Sequence, residues 1–247
     1  MQDGAMIPRL WLPAILGALT CLAPALAGEP APGTPVVVEL FTSQGCSSCP
    51  PADAYLGELA KRPGVLALGF HVDYWNYIGW ADPYSMKLAA DRQRDYARRL
   101  GLHYVYTPQM VIDGTREGVG SEPDRIASLL REVVAEQRPR PALSVARSGA
   151  GLHIQVGAAA SAEPATIWLV GFDATHQTKV LRGENEGETA ADYQVVRSFV
   201  AVGSWSGAPL DLDVAADKIA GDGCAVLLQV NGNGPIITAA KLATPAG

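Results

Sequence analysis

Cys46-Ser47-Ser48-Cys49 is the stretch of this chain with the clearest chemical capacity. Two thiols separated by two residues can close into a disulfide and open again. The thiolate is the nucleophile in that exchange. The pair directly precedes Ala52 to Lys61, whose apolar residues recur at helical spacing and which Pro63-Gly64 stops. At a helix N-terminus, unpaired N–H groups and the helix dipole favour thiolate over thiol. The expectation is therefore a lowered pKa at Cys46. Cys46 would attack a substrate disulfide. Cys49, one turn further in and less exposed, would release the mixed disulfide. Pro50 and Pro51 suit a first helical turn, where a missing N–H costs nothing.

These residues need a frame to position them. Val36 to Phe41 is a continuous apolar run and reads as a buried strand leading into the cysteine loop. Val65 to Val72 reads as a second buried strand. Asp73 to Tyr84 is an aromatic-rich loop, and Ser85 to Leu100 is an amphipathic helix ended by Gly101. Gln109 to Ile112 and Thr115 to Val119 form a hairpin around Asp113-Gly114. A helix follows over Asp124 to Gln137. The order β-α-β-α-β-β-α implies an α/β unit over residues 36–138, with a sheet containing parallel pairs and closed by an antiparallel hairpin.

Pro139 and Pro141 then mark a linker. Beyond it come short strands over Leu143 to Ala146, Leu152 to Val156, Thr166 to Phe172, Val195 to Val202, Ala225 to Val230 and Ile236 to Ala240, with turn signals such as Asn231-Gly232-Asn233-Gly234. This pattern predicts a smaller all-β, sandwich-like C-terminal domain over residues 143–247.

Composition narrows the setting. The chain has 247 residues, about half of them hydrophobic, and a net charge of −6. An acidic balance argues against a nucleic-acid partner. Arg9, the apolar run Leu10 to Leu22 and the small residues at Ala25-Leu26-Ala27 read as a cleavable signal peptide over residues 1–27. No later stretch is long enough for a membrane helix. The mature chain is thus expected to be exported, periplasmic or secreted. Of four cysteines, Cys21 leaves with the signal. Cys46, Cys49 and Cys224 remain, so at least one thiol has no partner inside the monomer.

Three segments carry a family resemblance. They are Phe41 to Asp53 (FTSQGCSSCPPAD), His71-Val72-Asp73-Tyr74-Trp75 and Tyr106-Thr107-Pro108-Gln109. They resemble DUF1223, a family of exported bacterial proteins in the thioredoxin-like superfamily. Arg182-Gly183-Glu184-Asn185 and Val195-Val196-Arg197 extend the likeness into the β-rich half. The resemblance implies a thioredoxin-like fold for residues 36–138. It also implies a cis peptide at Pro108, beside the dithiol, that turns the Thr107 backbone toward an extended substrate. Gly45 stands where thioredoxins usually carry Trp, and Ser47-Ser48 where they often carry Gly-Pro. Redox potential and substrate choice therefore do not carry over.

The reading that results is a thiol–disulfide oxidoreductase needing no cofactor or metal and acting on protein or small-molecule thiols and disulfides. Cys46, Cys49, Thr107 and Pro108 would form its catalytic centre. Tyr74 and Trp75, with Tyr77 and Trp80, would cover or dock substrate in place of the missing Trp, or pack beneath the loop. Asp73 would tune Cys49 or simply hydrogen-bond at the loop start. Two other classes stay open. One is a binding module whose disulfide only staples the helix. The other is a copper metallochaperone using both thiolates with His71 or His103. Cys224 reads as a buried small residue, and Glu184, Glu186 and Glu188 as a solvated turn.

Overall fold

The computed structural model describes residue 1 and residues 33–242, apart from 137, 139, 161 and 162. The expected signal peptide, with Cys21, lies beyond Met1 outside the described residues, as does Pro139 of the linker.

The apolar run becomes β1 (Val36–Thr42), buried on both faces. After the cysteine loop comes α1 (Pro50–Leu59), then β2 (Val65–His71), a single 3-10 turn at Asn76–Ile78, and α2 (Lys87–Leu100). The hairpin β3 (Gln109–Ile112) and β4 (Arg116–Val119) leads to α3 (Pro123–Ala135). Seven strands follow: β5 (Leu143–Ser148), β6 (Gly151–Val156), β7 (Ala165–Lys179), β8 (Thr189–Trp205), β9 (Leu210–Ala215), β10 (Gly223–Val230) and β11 (Ile236–Lys241).

The fold is mixed α/β, with a large mixed sheet and a second small antiparallel one. The large sheet has the order β11-β10-β7-β8-β2-β1-β3-β4, and the small one the order β5-β6-β9. β1 runs parallel to β2 and antiparallel to β3. The strands expected beyond residue 143 are divided between these two sheets. Four of the seven strands continue the first sheet, and the other three lie over that extension. The two halves join where β8 meets β2 in parallel, at Val195 and Gly69. Only glycine allows this approach, because a Cβ at Gly69 would sit 2.8 Å from the Tyr193 carbonyl.

Alternation along the strands divides the core. Val37, Phe41, Leu68, Phe70, Val170, Phe199 and Leu227 lie on the face that α2 covers. Val38, Leu40 and Ala67 point to the opposite face, under α1 and α3. Ile167, Leu169, Val226 and Leu228 are covered by Leu152, Ile154 and Val156 of the small sheet. Continuous apolar strands are what a sheet covered on both sides requires.

A buried polar cluster ties the layers of this core together. Glu39 of β1 is fully buried and accepts from Arg92 of α2, Nε to Oε1 at 2.8 Å and Nη2 to Oε2 at 3.1 Å. Arg92 also donates to Gln229 of β10 at 3.0 Å, and its guanidinium lies 4.5 Å from the Phe199 ring centre. The cluster ties α2 to both halves of the sheet.

Candidate functional site

The loop between β1 and α1 holds a Cys46–Cys49 disulfide with Cα atoms 5.4 Å apart. The helix begins at Pro50, not ahead of it, and Cys49 is its N-cap. Cys46 therefore lies in the turn ahead of that cap. Pro50 and Pro51 have no N–H to offer, and the N–H groups of Ala52 and Asp53 both donate to the Cys49 carbonyl. The polar contact that Cys46 Sγ does make is with Ser48 Oγ, at 3.4 Å. The expected difference in exposure is also absent. Cys46 is 1% exposed and Cys49 0%.

Two segments cover the cysteine loop. The first is the aromatic loop. A Cβ at Gly45 would lie 3.3 Å from Cβ of Trp75 and 3.4 Å from Cδ1 of Ile78. Trp75 thus lies against the backbone of Gly45. Its indole donates to Thr107 Oγ1 at 2.8 Å. The Thr107–Pro108 peptide is cis. Trp75 therefore joins the cysteine loop to the Thr107–Pro108 loop. Tyr74 lies beside Thr107 and donates to Gln93 at 3.0 Å, and burial pushes its pKa up to about 12.

The second cover is the tip of the β7–β8 hairpin. Asn185 donates to the carbonyls of Gln44 at 2.9 Å and Cys46 at 3.0 Å. Glu184 accepts from the Ser47 N–H at 3.4 Å. By its composition this charged stretch is expected to be a solvated turn. Its one signal was the family-like Arg182-Gly183-Glu184-Asn185 run.

Behind the loop lies a buried ionisable cluster. His71 Nδ1 is 2.7 Å from Asp82 Oδ2, and His71 Nε2 is 3.9 Å from Asp192 Oδ1. Gln44 bonds both aspartates, its N–H to Asp82 at 2.9 Å and its side chain to Asp192 at 2.7 Å. Burial alone would push His71 down, but the Asp82 hydrogen bond and the carboxylates around it hold its pKa above the usual value. Burial likewise opposes ionisation of Asp82, and the His71 bond with backbone N–H donors outweighs it, so its pKa is lowered. Burial pushes Asp192 up and raises Asp53 to about 7.

Asp73 sits at a turn, its backbone carbonyl accepting from the Asn76 N–H at 3.1 Å. Asp53, Asp82 and Asp192 are the carboxylates gathered behind the loop. His71 faces these carboxylates, and His103 is exposed on another loop. Among the described residues, no group of three or more His, Cys, Asp or Glu side chains is arranged to hold a metal ion. Cys224 is a free, buried thiol, and burial raises its pKa to about 11.

Fold and site together define a mixed α/β protein in which a disulfide-bearing loop is clasped by a hairpin from the β-rich half. Residues 37–229 match the model of a family described as a protein of unknown function, DUF1223, and the chain belongs to that family. Among solved structures it is similar to protein AGR_C_4864 from Agrobacterium tumefaciens. The two share 32% identity over 86% of this chain and 96% of that one, with a TM-score of 0.75. HBP35 of Porphyromonas gingivalis aligns over 86% of this chain and 76% of its own, with a TM-score of 0.58. At 12% identity that likeness concerns the fold alone. No curated protein matches the chain. Among the described residues no helix is long and apolar enough to cross a membrane.

Proposed function

We propose that this chain is an exported thiol–disulfide oxidoreductase whose thioredoxin-like unit spans residues 36–138. The observation that carries the proposal is the Cys46–Cys49 disulfide between β1 and α1, linked through Trp75 to the Thr107–Pro108 loop. The partial order β2-β1-β3-β4, with β2 parallel and β3 antiparallel to β1, supports it, because a thioredoxin-like unit requires that arrangement. The leader-like segment at residues 1–27 supports export to the periplasm or beyond.

In the reducing direction, the Cys46 thiolate attacks one sulfur of a substrate disulfide. A mixed disulfide forms and one substrate thiolate leaves. The Cys49 thiolate then attacks Cys46 Sγ, the second substrate thiolate leaves, and the Cys46–Cys49 bond closes. Two electrons pass from the pair to the substrate, and the oxidising direction is the reverse. The partners are protein or small-molecule thiols and disulfides. Substrate reaches Cys46 only when the covering segments part.

A redox titration of the Cys46–Cys49 couple tests this, followed by trapping with Cys49→Ser. A couple within reach of cellular thiols and an accumulating mixed disulfide support exchange. Unchanged turnover of a test disulfide in both Cys46→Ser and Cys49→Ser excludes it. The burial of both sulfurs favours a second reading, a disulfide that staples the helix start. A potential below about −300 mV, typical of structural disulfides, would select that reading.

A further inference from the structure

We propose that the cleft between the cysteine loop, α1 and the start of β8 is a binding site for a small organic cation, an alkylammonium or guanidinium group held by Asp53 and Asp192.

The cleft has a volume of about 390 Å³. Its walls carry the carboxylates of Asp53, Glu188 and Asp192 and the amides of Gln44 and Asn185, with no lysine or arginine among the lining residues. Acidic walls alone would not make a site. The second observation is the state of Asp53. It is 8% exposed and lines the cleft, yet its carboxyl takes no hydrogen bond from the described residues. Thr42 Oγ1 lies close enough to lower the Asp53 pKa, yet makes no hydrogen bond of ordinary geometry. A carboxyl that is nearly all buried and has no protein donor keeps its acceptor capacity for whatever enters the cleft. Asp192 is half-served in the same way. Its Oδ2 accepts from Gln44, while Oδ1 lies 3.9 Å from His71 Nε2, too far for a hydrogen bond. Both acids therefore keep acceptor capacity beside one cavity.

The charges around the cleft fix the sign of the ligand. His71 and Asp82 are hydrogen-bonded to each other and offset one another. Asp53, Asp192 and Glu188 are left as the lining groups that can hold negative charge. An anion would meet only repulsion there. A cation with several N–H donors would meet two carboxyls that lack them. Because burial holds the Asp53 pKa near 7, a bound cation would favour its charged form and expel a proton at neutral pH.

Agmatine, which carries an amine and a guanidinium, is a suitable probe. Calorimetric titration of the oxidised protein at pH 7, in two buffers of different ionisation enthalpy, reads binding and proton release together. Saturable millimolar or tighter binding with net proton release is expected. Asp53→Asn should weaken binding about tenfold or more and abolish the release. Ala54, exposed on the cleft wall, offers a variant that leaves the core alone. Ala54→Arg places a tethered guanidinium at the mouth and should compete with agmatine. An absence of saturable binding to wild type, or binding unchanged in both variants, overturns the proposal. Neither result bears on disulfide exchange, which is measured separately.

Discussion

The side-chain amide of Asn185 donates to the backbone carbonyl of Cys46 at 3.0 Å, across 139 residues of chain. This bond, with its partner to Gln44, seats the tip of the β7–β8 hairpin on the cysteine loop. It also explains why a loop expected to present a nucleophile is closed. The β-rich half supplies the cover.

Asn185→Ala should loosen that cover. It removes two hydrogen bonds, each worth about 1 kcal/mol net. A loss of this size, about 2 kcal/mol falling on local opening, raises the open population roughly thirtyfold. Reduction of the Cys46–Cys49 disulfide by a water-soluble phosphine should accelerate by about that factor, with little change in global melting. An unchanged reduction rate would mean that the hairpin tip does not control access.

Gly45 and Trp75 share one space. A Cβ at Gly45 would be 3.3 Å from Trp75 Cβ, so its neighbours must shift. Gly45→Ala should cost about 1–3 kcal/mol, as over-packing does, and Gly45→Trp distinctly more. Chemical denaturation measures both. Recovery of Gly45→Trp by Trp75→Ala would place both indoles in the same site. A neutral Gly45→Trp would show that the space is not shared.

The parts legible in the sequence were those with local causes. Val36–Thr42 is a buried apolar run, and Asp113-Gly114 is a turn whose residues take positive φ, so both could be placed by type and spacing. The continuation of the sheet had no local cause. Val195 reads as a strand residue, but nothing near it announces Gly69 as its partner. The run from Thr189 to Gln194, which lacks a block of strongly apolar residues, hid the first third of β8 for the same reason. Nothing local marks Asp53 as a buried residue of α1. Its burial comes from β8 crossing α1, where the Tyr193 ring lies so close to Gly57 that a Cβ there would approach it to 2.9 Å. Asn185 and Asp53 are both defined by partners far along the chain, which composition and periodicity do not encode.

The Arg92–Glu39 pair should behave as a buried ion pair does. Arg92→Met leaves the Glu39 carboxylate without its counter-charge in a site closed to water. The expected loss is about 3–5 kcal/mol, because an uncompensated buried charge remains. Glu39→Gln added to Arg92→Met removes that charge and should restore a substantial part. Tyr96 and Gln229, which also bond this cluster, lose partners in either case, so full recovery is not expected. Urea unfolding of the two single variants and the double variant measures the coupling. A double variant no more stable than Arg92→Met alone would refute the charge argument.

Asp53 should make the protein less stable as pH rises. Its carboxyl is raised from an ordinary 3.8 to about 7, with burial as the main cause and the His71 charge opposing it. The folded state therefore holds a proton that the unfolded chain releases. Between those two values, unfolding liberates the proton, and stability falls with increasing pH. The contribution is fully present below about pH 4 and lost by about pH 7. Asp53→Asn cannot ionise, so its stability relative to wild type should improve across that window and level off above it. His71, Asp82 and Asp192 titrate nearby, so the difference between the two proteins isolates Asp53 better than either curve alone. Denaturation midpoints from pH 4 to 8 test this. A constant difference would show that Asp53 titrates normally. A widening deficit for Asp53→Asn would show that the ionised carboxylate is the form the fold favours.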